Sequence, residues 1–239
     1  MKKQHLSYSS LSQFSKSPNH LLSYWAREFE PTPAMLFGSL LHKMILEPEN
    51  FNNDYAVYDG RRAGAAWNEF KAVNQEKDIV TQKEYNHAYK TYENAKSNEV
   101  FRNLLMQTTE TEKRIDWTYE DVKFKGFVDM VGNGFIADIK TTTDAGLKFE
   151  KDLYYDNSNY CLQAAMYLEA FAKGTKYYII AVEKSEPYNV QVYELSTDII
   201  NKAAEKYHDL VYDYKEWVAN GSKAESYSNS IKLVDIYNF

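Results

Sequence analysis

The clearest pattern in the chain is a strand-like alternation on either side of a Gly-Asn pair. Residues 122–131 (VKFKGFVDMV) and 134–140 (GFIADIK) alternate apolar or small positions with charged ones. That period predicts β-strands, and Gly132-Asn133 between them predicts a tight hairpin, because such turns need positive φ angles. With Gly132-Asn133 as a two-residue loop, Val131 faces Gly134 and Asp129 faces Ile136. Asp129, Asp138 and Lys140 then share one face, the two aspartates as diagonal neighbours roughly 7–8 Å apart at the backbone. The other face, expected to pack on a core, carries Phe124, Gly126, Val128, Met130, Phe135, Ala137 and Ile139. Lys113–Tyr119 reads as a further strand turning at Glu120-Asp121, which makes a three-stranded antiparallel meander.

Helical spacing surrounds this meander. Leu11, Phe14, Leu21, Leu22 and Trp25 mark two N-terminal segments, the first capped at Ser9 or Ser10, the second begun at Ser17-Pro18. After the stiff Pro31-Thr32-Pro33, residues 36–46 are apolar nearly all round, which predicts a buried helix ended by Pro48. Gly38 and His42 lie one turn apart on it, and the glycine is expected to let another backbone come close. Tyr55–Tyr58 is a candidate short strand, and Arg61-Arg62 with Gly64 a basic turn entering a helix. Residues 81–106 predict two helices broken at Ser97-Asn98. Next are expected a loop from Thr143 to about Asp156, a helix over Tyr160–Ala172 capped by Gly174, and a hairpin of Lys176–Glu183 and Tyr188–Leu195. A long helix follows from Thr197 to about Ala219, and Ile231–Tyr237 reads as an edge strand or a segment packing on another subunit. The class is α/β, with a mixed central sheet (the meander plus added strands) flanked by helices. One domain is expected over 1–239: a helical part 7–107, a core 110–220 and a tail 221–239.

Composition narrows the picture. The 44% of hydrophobic residues over 239 positions suits a sizeable core and excludes wholesale disorder. A net charge of −6 argues against a generally basic nucleic-acid coat but allows a local basic channel, with Arg61, Arg62, Lys123, Lys125 and Lys140 as its candidates. The single cysteine, Cys161, rules out an intrachain disulfide and any four-cysteine zinc or iron–sulfur site, and fits a reducing compartment. No long apolar run opens the chain, so neither a signal peptide nor a membrane span is expected.

The candidate chemistry lies on the meander. Two aspartates on a half-covered face need a partner, since carboxylates are rarely desolvated alone. A solvated acidic hairpin with a surface Lys–Asp pair is one reading; Asp121-Val-Lys123 and Asp213-Tyr-Lys215 repeat the spacing without any such setting. The other reading is a divalent cation held by the two carboxylates, with Lys140 placed beside a metal-bound water or a phosphate. His42 reads as a core histidine or as a metal ligand. Arg61 and Arg62, before Trp67, read as a solvated loop or as phosphate contacts beside an aromatic platform. Gln163 and Tyr167, four apart, read as a helix-surface pair or as a polar rim over the acids. Glu112 is a further acid at the start of the meander.

Taken in order, GSLLH (38–42), GFVD (126–129), DIKTT (138–142) and QAAMY (163–167) resemble the RecB-like branch of the PD-(D/E)XK nuclease superfamily. Within it, SLSQFSKSPNH (10–20), PTPAMLFGSLLHKMILEPENF (31–51) and RRAGAAWNEF (61–70) are similar to the exonuclease VIII (RecE-type) nuclease domain of phages and prophages. The resemblance implies a restriction-endonuclease-like core. It also implies that His42, Asp129, Asp138 and the Ile139 carbonyl bind metal, that Asp129, Asp138 and Lys140 are catalytic, and that Gln163 and Tyr167 position DNA. Glu112 fits an acidic position found in some relatives, and Val128 stands where the superfamily's nominal proline is often absent. The implied activity is Mg²⁺-dependent hydrolysis of linear duplex DNA from its ends, 5′ to 3′, with Mn²⁺ able to substitute and no iron–sulfur cluster. A homo-oligomeric ring, a single-strand annealing partner and a cytoplasmic setting are implied with it. The alternative readings are a CRISPR-adaptation-type RecB-like nuclease without an iron–sulfur cluster and a catalytically inert DNA-binding module on the same scaffold.

Overall fold

A computed structural model describes residues 5–156 and 159–224 of the protein. The Ile231–Tyr237 segment lies outside the described residues. The N-terminal half is helical: α1 (Tyr8–Phe14), α2 (Pro18–Ala26), α3 (Pro33–Leu46) and the short α4 (Phe51–Asp54). β1 (Tyr55–Tyr58), α5 (Ala65–Val73) and β2 (Asp78–Thr81) form a small outlying unit in which β1 and β2 pair in parallel. Then come α6 (Gln82–Ser97) and α7 (Glu99–Gln107), followed by β3 (Thr108–Tyr119), β4 (Val122–Gly132) and β5 (Phe135–Thr142). The chain closes with α8 (Leu147–Tyr154), α9 (Tyr160–Leu168), β6 (Lys176–Glu183), β7 (Val190–Glu194) and α10 (Thr197–Ala219).

Among the described residues the main sheet has the order β3-β4-β5-β6-β7. Its strands pair antiparallel except β5 and β6, which run parallel over the whole length of β5. The mixed sheet with helices on both faces is the expected architecture. One face packs under α1, α9 and α10 through Leu11, Phe124, Ile136, Leu162, Ile179 and Tyr207. The other packs under α3 and α7 through Leu41, Phe101, Met130, Ala137, Ile139 and Val182.

Several local expectations change. The hairpin loop is Asn133-Gly134, with Gly132 pairing Phe135 and Gly134 at φ +81°. Moving a two-residue loop by one position shifts every partner by two, so the turn by itself leaves the alternation of faces unchanged. The even positions of β4 do not share one core. Phe124 and Val128 pack toward α9 and α10, while Met130 packs toward α3. The strand pair is irregular where this switch occurs: the ladder skips Glu112 and Asp129, and Glu112 sits at φ +48°. Ser7, not Ser9 or Ser10, caps α1, accepting from the Ser10 N–H. The first turn of α3 is exposed at Met35 and Leu36. A Cβ on Gly38 would lie 3.8 Å from Thr141 Oγ1, ordinary contact with a side chain, so no close backbone demands that glycine. The expected 143–156 loop contains α8, with Phe149 and Leu153 buried, and α9 stops at Leu168, short of Gly174. Ser196 caps α10 in place of Thr197.

Candidate active site

The site forms where β4 and β5 part. Their ladder runs only from Gly132↔Phe135 to Met130↔Ala137. Beyond it β5 stays paired with β6 and β4 with β3, which leaves Ile139 without a backbone partner from β4. A buried peptide group must find other partners. The Ile139 N–H donates to Asp129 Oδ2 at 2.6 Å, and the Ile139 carbonyl accepts from His42 Nε2 at 3.0 Å. Asp129 and His42 therefore act as a wedge that replaces the missing ladder. α3 supplies the histidine because Leu41 and Ile45 are in the core beneath it.

With Nε2 donating to Ile139, His42 Nδ1 points to acids: 3.6 Å from Asp129 Oδ2 and 3.9 Å from Glu112 Oε1. Burial alone would lower the His42 pKa, but Asp129, Glu112 and Asp138 outweigh it and raise it to about 9. Asp129 is pushed above the usual carboxylate range, first by burial and then by the charge of Asp138.

Asp138 and Lys140 make the second half of the site. Lys140 Nζ lies 2.5 Å from Asp138 Oδ2 and donates to Gln163 Oε1 at 2.9 Å. Gln163 Nε2 donates to Asp138 Oδ1 at 3.1 Å, closing a three-membered ring of contacts. Burial would lower the lysine's pKa, but Asp138 and Asp129 together hold it above the usual range, so Lys140 is a cation. Tyr167, one turn beyond Gln163, is bonded to it and lies over Gly126 of β4. A Cβ at position 126 would come within 2.6 Å of the Tyr167 ring, so here the glycine is required.

The residues present fit a hard divalent cation. The ligand atoms of His42, Glu112 and Asp129 lie within 4.8 Å of one another. Donors on opposite sides of a Mg²⁺ ion are about 4.2 Å apart, so small movements would close the set. Asp138 Oδ2 is fully buried and has the Lys140 ion pair but no hydrogen bond, which leaves a lone pair for a cation. Glu112 groups with His42 and Asp129, while Asp138 is turned to Lys140 and Gln163. The Ile139 carbonyl is taken up by His42.

The family model for a PDDEXK-like domain of unknown function (DUF3799) matches residues 7–235. The chain belongs to that family. The fold of this PDDEXK-like chain is also similar to a crystal structure of a protein from Eubacterium rectale described as a "putative exonuclease". The TM-score is 0.66 at 18% identity, covering 92% of this chain and 83% of the other. No curated protein matches the sequence.

In this PDDEXK-like fold, Arg62 makes its contacts to β2, α5 and α6. Arg62 donates to the Ile79 carbonyl at 2.7 Å and pairs with Glu84, with its guanidinium 5.7 Å from the centre of the Trp67 ring; Arg61 is exposed. Two aromatic residues near Lys140 escaped the sequence reading. Tyr160 lies under the ammonium, 5.0 Å from ring centre to Nζ. Its signal was available, since it precedes Gln163 by three residues and so shares a helix face with it. Tyr8 is pushed well above its usual range by burial and also feels Lys140, Tyr160, Asp156 and Asp138. No local pattern marks it: Leu6, bonded to Lys123 and Lys125 of β4, carries it there.

Proposed function

We propose that the protein is a metal-dependent deoxyribonuclease that hydrolyses the phosphodiester bonds of linear duplex DNA from its ends. The observation that carries this reading is the parting of β4 and β5 at Asp129 and Asp138, with a buried cationic Lys140 beside them and His42 and Glu112 opposite. Asp129, His42 and Glu112, with Asp138 adjoining, would hold Mg²⁺, or Mn²⁺ in its place. When bound, such an ion supplies an activated water and neutralises charge on phosphate. Beside Asp138 and Asp129, Lys140 is held as a cation. Its part is to donate hydrogen bonds to the attacking water or to a non-bridging oxygen as charge develops there. Gln163 holds both Lys140 and Asp138, so it fixes the separation of cation and acid. Tyr167 braces Gln163 against β4.

The finer reading comes from the resemblance to exonuclease VIII: 5′ to 3′ digestion, a ring of subunits and a single-strand annealing partner in phage-type recombination. Among the described residues no helix is long and apolar enough to cross a membrane. Incubating supercoiled plasmid and its linearised form with Mg²⁺ tests the proposal. Loss of the linear form with the supercoil spared is expected, and 5′- and 3′-end labels give the polarity. Rapid nicking of the supercoil would replace the exonuclease by an endonuclease. No cleavage of either form with Mg²⁺ or Mn²⁺ would refute the reading.

A further inference from the structure

Among the described residues the Lys140 ammonium contacts Asp138 Oδ2 at 2.5 Å, Gln163 Oε1 at 2.9 Å and the face of the Tyr160 ring at 5.0 Å. Only the carboxylate is anionic, and it is also the group a cation would claim. Resting on the nuclease reading above, we propose that Tyr160 is a positioning residue for Lys140, its ring face holding the ammonium in place when Asp138 turns to metal.

The ring is built as a fixed platform. Tyr160 stacks on Phe149 at 5.8 Å and 27°, and Phe149 stacks on Tyr193 at 5.7 Å and 23°. Tyr193 is anchored in turn, its hydroxyl donating to the Ala145 carbonyl at 2.6 Å. The backbone on either side of Tyr160 is pinned as well. Asn159 accepts from Lys206 at 2.7 Å and donates to Ser12 at 3.1 Å, and the Cys161 N–H donates to Asp156 at 2.9 Å. A ring held by a stack and by both neighbours presents its negative face at a set place. Gln163, three residues on, is on the same helix face, so α9 offers the lysine an amide oxygen and a π-face together. The ring contact is independent of Asp138, whereas Gln163 also donates to that carboxylate, so the ring is the contact left unchanged when Asp138 turns. It keeps the ammonium over the site and out of solvent when the anion is engaged elsewhere.

The test reads position and rate separately. In protein labelled with ¹³C-lysine, the Lys140 ε-CH₂ resonance is identified by its loss in Lys140→Met. It is expected upfield of the other lysines because of the Tyr160 ring, to remain upfield when Mg²⁺ is added, to stay there in Tyr160→Phe, and to join the bulk in Tyr160→Leu. Movement of the wild-type resonance to the bulk position on adding Mg²⁺ would overturn the proposal without recourse to any variant. Single-turnover cleavage of a labelled duplex is expected to slow about tenfold in Tyr160→Leu, with Mn²⁺ affinity unchanged, and to be largely restored in Tyr160→Phe. Phe149→Leu, which loosens that stack but leaves the Tyr160 ring and the bonds of Asn159 and Cys161 in place, is expected to slow cleavage by less than Tyr160→Leu does. An equal loss of rate in Phe149→Leu would reduce Tyr160 to packing and overturn the proposal. Wild-type protein that cleaves no DNA would refute the nuclease reading alone, since the resonance still decides where Lys140 sits.

Discussion

Replacing Lys140 by methionine keeps most of its volume and removes its charge. The side chains of Lys140 and Asp138 are 19% and 5% exposed, so this pair is a buried one. Removing one partner of a buried pair strands the other, typically at a cost of about 3–5 kcal/mol. A ceiling comes from the proton: neutralising an ordinary aspartate at pH 7 costs about 4 kcal/mol, roughly 1.36 kcal/mol for each unit above 3.9. The Gln163 amide still donates to Asp138 and trims the loss. We expect Lys140→Met to cost about 3 kcal/mol at pH 7 and no more than about 1.5 kcal/mol at pH 5, where the proton is cheaper. In a chain of this size the former is a fall in Tm of about 6–12 °C. Urea unfolding in chelator measures it, with Asp138→Asn and the double variant completing the cycle. The double variant should recover most of the loss. Added Mg²⁺ should stabilise Lys140→Met more than wild type, because the stranded carboxylate gains a cation. A loss below 0.5 kcal/mol at pH 7 (roughly the effect of an ordinary surface substitution), or an equal loss at both pH values, would refute the argument.

Gly126→Ala should cost about 1–3 kcal/mol by driving a methyl group into the Tyr167 ring. Chemical denaturation should find that cost much reduced in a Tyr167→Leu background. The raised His42 pKa gives a pH dependence. In chelator, the stability His42 contributes is fully present below about pH 6.5 and lost as pH rises through about 9. Metal needs the imidazole unprotonated, so Mn²⁺ affinity measured calorimetrically should rise between pH 7 and 9, and less steeply in His42→Ala. Cys161 is buried, its thiol pushed up to about 12 by burial first and by Asp156 second. Its reaction with a chromogenic disulfide should be about three orders of magnitude slower in native protein than in denaturant.

How much of this was legible in the sequence depended on the range of the interaction concerned. Lys176–Glu183 was read to the residue because a strand buried on both sides writes a continuous apolar run. The break between α6 and α7 was legible because Asn98 both ends one helix and caps the next. β2 was missed. Four residues paired to partners twenty-three positions earlier leave little local pattern, and the burial of the strand is only partial. α8 looks like loop in the sequence because its charged residues hide a short apolar stripe, Phe149 and Leu153, whose meaning comes from Tyr160 and Tyr193.

The site divides along the same line. That Asp129, Asp138 and Lys140 belong together follows from alternation alone, and it survived a one-residue error in the turn because a two-residue register shift preserves faces. What alternation cannot express is the failure of the ladder. A regular hairpin would have spent the Ile139 N–H on β4 and left Asp129 as a surface acid. The positive φ at Glu112 and the skipped pair Glu112–Asp129 are tertiary facts. From them come the wedge of Asp129 and His42, the place of Glu112 among the metal-facing acids, and the turning of Asp138 toward Lys140. The same irregularity sends Val128 to one core and Met130 to the other. The kink that opens the site therefore leaves Asp129 nearly covered, with Val128 and Met130 packed under helices on opposite faces and only the side of Phe127 and Glu112 open. An acid placed there is little solvated, its side chain being 10% exposed, and a cation, a histidine or a proton must meet most of its charge.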